Sequence, residues 1–319
     1  MRRIMFVLVF GVSLGLFSQV NPDTLPEKYV KKVIIEAKWG DGPGEFQFGP
    51  LSENNGFISS IAVDIRGYFY IADYYRNRVN IFDQEGRFLR FIDLPRNKVS
   101  CLGTMGVTNK YLYIFCIDSL GNPAIVEINL TTGNISNICS FEDFFGYPLF
   151  YSDMQGNLFI IIMEVRGKGN PSQIIGNTVI SIKDIKSQKR INLQTLYTIG
   201  KSFYVDKKYI NINLPTKGGK ISIAIDKLPY RWLPRIISSI KNNIIGVWNG
   251  WDVVYLKNNK EILKINIMPT FFDKEGYGRI YQECFNIIAF DTSLNCYQLL
   301  GSNSGLKVIK YIINQEVWK

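Results

Sequence analysis

The chain of 319 residues contains no histidine. That absence removes Ser-His-Asp triads, Cys-His nucleophile pairs and every His-ligated zinc or copper centre. Cysteine is scarce: Cys101, Cys116, Cys139, Cys284 and Cys296 are the whole set, with no CxxC spacing and none before Cys101. A lipid-modified cysteine near the N-terminus is therefore excluded. No Asp-rich loop of EF-hand form occurs either. No cofactor is expected, and calcium, which needs only oxygen ligands, is the one the composition leaves open. Long amphipathic stretches with i, i+3, i+4 periodicity are missing, which argues against a helical solenoid. After the first residues no run of 18 apolar residues occurs, so no integral membrane segment is expected once the leader is removed.

What is present starts with that leader. MRRIMFVLVFGVSLGLFSQVNPD places Arg2 and Arg3 before an apolar run from Ile4 to Phe17. The run is short for a bilayer core of about 30 Å and reads as a signal peptide over residues 1–19, with an uncleaved anchor as the alternative. A secreted, periplasmic or cell-surface protein follows. Five cysteines leave at least one unpaired in an exported chain. Cys284 and Cys296 are close enough in sequence for a bridge, but each cysteine sits in an apolar run, as buried free thiols do. Lys plus Arg number 37 against 27 for Asp plus Glu, a formal +10. Such a balance suits anionic partners or a solvated basic surface.

Residues 61–83, IAVDIRGYFYIADYYRNRVNIFD, and 288–312, IAFDTSLNCYQLLGSNSGLKVIKYI, say nearly the same thing twice. Each is a short apolar strand, a turn opened by Asp, a second strand and a third. The order recurs at 107–118, 151–163, 204–214 and 238–248, each followed by a third apolar strand, giving six copies. Tight turns and short strands make these meanders, and the spacing is that of propeller blades. The last copy stops after its third strand at 306–312, while KYVKKVIIEAKW (28–39) is an orphan strand before the first. The expectation is an all-β, six-bladed β-propeller of four-stranded antiparallel blades over residues 20–319. Residues 28–39 would complete the last blade and leave no long open edge.

WGDGPGEF (39–46) and ISSIAVDIRGYFYIADYYRNRVNIFDQEGRFLRFI (58–92) resemble an NHL repeat, the blade of a six-bladed β-propeller family. Gly40, Gly42, Gly44, Phe46, Asp64, Gly67, Ala72, Asp73, Asn77 and Arg78 carry the likeness, which covers the first copy only. Overall the chain resembles secreted bacterial six-bladed propellers. Metal-dependent lyases of that family would be expected to use histidine ligands, which this chain lacks. Cytoplasmic members bind RNA through a basic face, but export argues against nucleic acid here.

Candidate chemistry therefore falls to loops. DYYRNR (73–78) and Trp248-Asn249-Gly250-Trp251 offer flat aromatic faces for sugars or protein hot spots. The candidate ligand-binding set is Tyr74, Tyr75, Arg76, Arg78, Arg166, Lys217, Trp248 and Trp251, gathered on the face of second-to-third-strand loops. Trp248 and Trp251 packing between blades, and Asp73 with Arg78 forming an ion pair inside the blade, are the structural alternatives. Asp73, Asp118 and Glu164 end second strands and leave open a carboxylate pair of hydrolase type. The balance favours a non-catalytic binding or scaffold module for a protein, a peptide or an anionic glycan. A hydrolase or lyase with a carboxylate- or calcium-based site at the channel is the alternative.

Overall fold

The computed structural model describes residues 28–47, 60–100, 102–141, 148–152, 158–165, 174–186, 188, 190–191, 201–202, 204–205, 209–213, 220–224, 240–241, 244–248, 252–257, 260–267, 277–278, 287–291, 293–302 and 304–318. Among these the strands form six sheets. Sheet one is the antiparallel meander Ile61–Val63, Phe69–Asp73, Arg78–Phe82 and Phe88–Asp93. Sheet two is built on Met105–Val107, Tyr111–Asp118, Pro123–Asn129 and Ile135–Phe141. Sheet three holds Pro148–Ser152, Leu158–Val165, Ile174–Ser181 and Lys201–Ser202. Tyr204–Val205, Tyr209–Asn213 and Lys220–Ala224 form sheet four. Sheet five runs Ile240–Lys241, Ile244–Trp248, Asp252–Lys257 and Lys260–Asn266. Sheet six contains Ile288–Phe290, Cys296–Ser302 and Gly305–Ile313, with Tyr29–Lys38 paired antiparallel to the last of these from Tyr29↔Ile313 to Lys38↔Gly305. The orphan strand of the sequence thus lies in the sheet assigned to it.

Why the strands read as unbroken apolar runs is answered by packing. A strand with one wet face alternates, whereas one covered on both faces does not. In sheet one, Ile61, Val63, Phe69 and Ile71 join a core shared with sheets five and six, while Ala62, Tyr70 and Ala72 join a core shared with sheet two. Sheet two repeats the division: Leu112, Ile114 and Cys116 face sheet one, and Tyr113 and Phe115 join Phe150 and Ile160 of sheet three. Sheets five, six, one, two and three therefore pack in succession through shared cores. The innermost strands of sheets six, one, two and three lie side by side.

Tight turns opened by Asp join the strands. The Asp64 carboxylate accepts from the Arg66 and Tyr68 amides (2.9 and 3.0 Å) and from the Tyr70 hydroxyl (3.2 Å). Asp291 does the same with the Ser293 and Asn295 amides (2.8 and 2.9 Å) and the Tyr297 hydroxyl (2.7 Å). The likeness between the two ends of the sequence is thus one turn, built twice in neighbouring sheets.

Two features were not expected. The stretch 178–184 reads as strand throughout, but it ends at Ser181 and the helix Ile182–Lys186 follows. Ile182 and Ile185, one helical turn apart, bury themselves between sheets two and three. The following Arg190–Ile191 then pairs in parallel with Ser140–Phe141 at the outer side of sheet two. The basic stretch 183–190 is accordingly not a plain loop, since Lys186 pairs with Glu127.

Glycine matters most where sheets six and one meet. Gly86 has φ +82° and a Cβ added there would lie 1.9 Å from the Ile34 carbonyl oxygen, a backbone atom. Gly121 has the same φ with nothing within 4 Å. Gly121→Ala should therefore cost only the left-handed penalty of about 1–2 kcal/mol. Gly86→Ala should cost about 3 kcal/mol, because the backbone of Tyr29–Lys38 must also move. Parallel thermal melts of the two variants check the difference; equal losses would refute the tight approach.

Candidate binding face

The loop Asp73–Arg78 joins the second and third strands of sheet one, and its geometry follows from its residues. Asn77 has φ 55°, a conformation Asn tolerates better than most residues. Its side-chain amide donates to the Leu94 and Val99 carbonyls at 2.5 and 2.8 Å. Those carbonyls lie on the connection leaving sheet one for sheet two. Arg78 does the reciprocal work on the connection arriving from sheet six: Nη2 donates to the Glu45 carbonyl at 2.7 Å, and Asn80 Nδ2 donates to the same oxygen at 3.3 Å. Arg76 reaches the Gly40 carbonyl and the Asp41 carboxylate. Phe46 then fills the space above Phe82, their rings stacked with centroids 6.3 Å apart. The Asn-Arg pair and the glycine-rich stretch before it are one clamp.

Asp73 sits beneath that clamp, 2% exposed. Its carboxylate lies 3.3 Å from Arg78 Nε and 3.7 Å from Arg76 Nη1. Burial pushes its carboxyl up from the ordinary value, against the pull of Arg78 and Arg76. The guanidinium of Arg78 also lies 4.8 Å from the centre of the Phe91 ring. The ion pair anticipated as the structural alternative is therefore present.

Tyr74 and Tyr75 flank the clamp, half-buried, with ring centroids 5.5 Å apart and planes at 83°. Tyr74 packs on the core shared by sheets one and two. Burial raises the Tyr75 phenol, and the Tyr75 carbonyl accepts from Arg96. Sequence reading passed over Arg96, Asn80 and the Glu45 carbonyl; the spacing of Gly40, Gly42 and Gly44 was the signal that a main-chain partner was being presented.

The other proposed residues divide. Trp248 is fully buried in the core of sheets five, six and one, so its indole takes the between-sheet position and is removed from any exposed aromatic face. Arg166, Lys217 and Trp251 lie outside the described residues. Of the acids considered for catalysis, Asp118 accepts from the Leu120 and Asn122 amides (2.9 Å each) and the Ser140 hydroxyl (2.9 Å). Burial disfavours its charge, but the hydrogen bonds from Asn122, Ser140 and Leu120 outweigh burial and hold its carboxyl below the ordinary value. Asp73 and Asp118 are thus both committed to turns. Cys116, Cys139 and Cys296 are buried free thiols, and Cys284, considered as a bridging partner of Cys296, lies outside the described residues. Among the described residues no helix is long and apolar enough to cross a membrane, and no group of three or more acidic or cysteine side chains could hold a metal ion.

No known protein family matches the chain, and no curated protein does. Solved structures do superpose on it. A streptogramin B lyase is 13% identical with TM-score 0.42, covering 90% of this chain and 98% of its own. An inactive virginiamycin B lyase from Staphylococcus aureus, in complex with quinupristin, is 13% identical with TM-score 0.45, covering 90% and 100%. The PQQ-bound aldose sugar dehydrogenase of Streptomyces coelicolor is 10% identical with TM-score 0.47, covering 90% and 99%. At such values the likeness assigns no activity to this chain.

Proposed function

We propose that residues 20–319 form one closed six-bladed propeller of the NHL-like type, with residues 28–39 completing the sixth blade. We further propose that it is exported after removal of residues 1–19 and acts as a non-catalytic binding module for a protein, peptide or anionic glycan. Six sheets in chain order and the pairing of Tyr29–Lys38 with Gly305–Ile313 support the ring. The observation that carries the binding reading is the Tyr74–Tyr75 pair, held half-exposed on a loop clamped from both sides. Rigid loops that present aromatic faces bind with little loss of side-chain freedom. We assign Trp251, Arg166 and Lys217, in the fifth, third and fourth copies of the sequence repeat, to the same binding set. Arg76 and Arg78 act mainly by fixing the loop, and Trp248 by packing.

The test uses the mature protein on arrays of uronic-acid glycans, sulfated glycans and acidic peptides. Binding that Tyr75→Ala and Trp251→Ala each abolish, with melting temperature unchanged, is the expected result. Binding indifferent to both changes, or none to any probe, overturns the assignment of the face. Cleavage of a bound glycan overturns the non-catalytic reading.

A further inference from the structure

Beyond the last strand of sheet six the chain does not simply trail off. Asn314 donates its amide to the Lys28 carbonyl at 3.0 Å, and its side-chain oxygen accepts from the Glu316 amide at 3.0 Å. The Val317 amide returns to the Asn314 carbonyl at 3.0 Å, closing the 3₁₀ turn Gln315–Trp318. That turn crosses onto the adjacent sheet. The Trp318 ring lies 5.2 Å from the ring of Tyr255 in sheet five, and Lys257 Nζ donates to the Trp318 carbonyl at 2.5 Å. Val317 and Trp318 pack on the shared core without being buried in it.

Tyr255 is the residue on which the seam between sheets five and six turns. Its hydroxyl donates to the Leu294 carbonyl of the sheet-six turn at 2.7 Å, and its ring lies edge-on to Phe290 at 6.0 Å. Opposite Tyr255 in register is Gly246, where a Cβ would come within 2.6 Å of the Phe290 ring. In sheet six Gly305–Ile313 is paired along its length with Tyr29–Lys38, whereas among the described residues the seam with sheet five is crossed by side chains packing or donating to main-chain carbonyls, Tyr255 to Leu294 and Gln298 to Ile267, at 2.7 Å each. The turn adds a further tie of this kind across the seam, from Lys257 to the Trp318 carbonyl.

We propose that Asn314–Trp318 is a strap that locks sheet six onto sheet five, and that releasing it opens this seam locally while the remaining sheets stay folded. The strap is held to sheet five by the Trp318 ring contact and the Lys257 hydrogen bond, and is otherwise a capped single turn tied to Lys28, with both its aromatic and apolar side chains half-exposed. Such a segment belongs to the low-stability end of a fold, where opening is local. Cys296, fully buried in the same core as Tyr255, is a natural reporter, since burial holds its thiol well above the ordinary value.

The experiment labels native protein with a thiol-reactive maleimide and resolves each cysteine by peptide mass. The variants are Trp318→Ala, Trp318→Phe, Lys257→Met and a chain ending at Ile313. Cys296 should label about tenfold faster or more in Trp318→Ala and in the shortened chain, as expected when opening becomes local. Cys116 and Cys139 in sheet two should keep their rates, and Trp318→Phe should restore most of the protection. Unchanged Cys296 labelling in both release variants overturns the strap. A joint rise of all three cysteines overturns the claim that opening is local.

Discussion

Trp248→Ala is expected to lose about 3–5 kcal/mol of stability, the cost of removing a large buried aromatic without collapse of the site. Trp248 ends the second strand of sheet five, and Ile244, Gly246 and Trp248 alternate onto one face. The contact of Gly246 with Phe290 shows that this face looks at sheet six. The indole therefore fills the seam between two sheets, where neighbours hold each other in place and cannot close a large void. Trp248→Phe should recover much of the loss, because a ring of similar breadth still packs there. Chemical denaturation with both variants checks the pair of values. A Trp248→Ala protein that melts like the parent would return the residue to the binding face.

A loss of similar size is expected from Arg78→Met, for a different reason. Replacing one member of a buried ion pair leaves the other charge poorly compensated, typically at a cost of about 3–5 kcal/mol, and here only Arg76 Nη1, 3.7 Å from Asp73, remains beside the carboxylate. Arg78 is 7% exposed and Asp73 2%. The substitution also strips the Glu45 carbonyl of its shortest hydrogen bond, leaving the longer ones from Asn80 at 3.3 Å and Arg76 at 3.4 Å. Asp73→Asn in the Arg78→Met background should give back part of the stability by neutralising the stranded carboxyl, whose charge burial already disfavours. Strict additivity of the two changes would show that the pair is not coupled. The measurement is a double-mutant cycle in urea, read alongside release of the 40–46 stretch by limited proteolysis.

These two residues also show what the sequence could and could not disclose. Asp-turn spacing and apolar runs were enough to place six strand sets and to pair Tyr29–Lys38 with the last, because turn chemistry and two-sided burial act over a few residues. The helix Ile182–Lys186 was missed since two isoleucines three apart fit strand and helix equally in so short a stretch. At the candidate face, aromatic and basic residues in one loop were visible, but their partners were not. Arg76 and Arg78 bind main-chain carbonyls more than thirty residues upstream, and a carbonyl leaves no trace in residue identity. Whether Trp248 points outward or inward depends on register within sheet five, which its flanking Asn-Gly-Trp does not reveal.

The parallel pairing of Arg190–Ile191 with Ser140–Phe141 has a consequence in time as well as space. During synthesis the outer strand of sheet two emerges well before its last neighbour, and the first three strands of sheet three are made in between. Sheet two must therefore wait with an open flank until the helix Ile182–Lys186 has settled between the two sheets. Long-range closures of this kind are late events in folding, since the chain entropy of the intervening loop has to be overcome first. The second and third repeats thus mature as a couple, and a ribosome pausing between them would hold an unfinished edge.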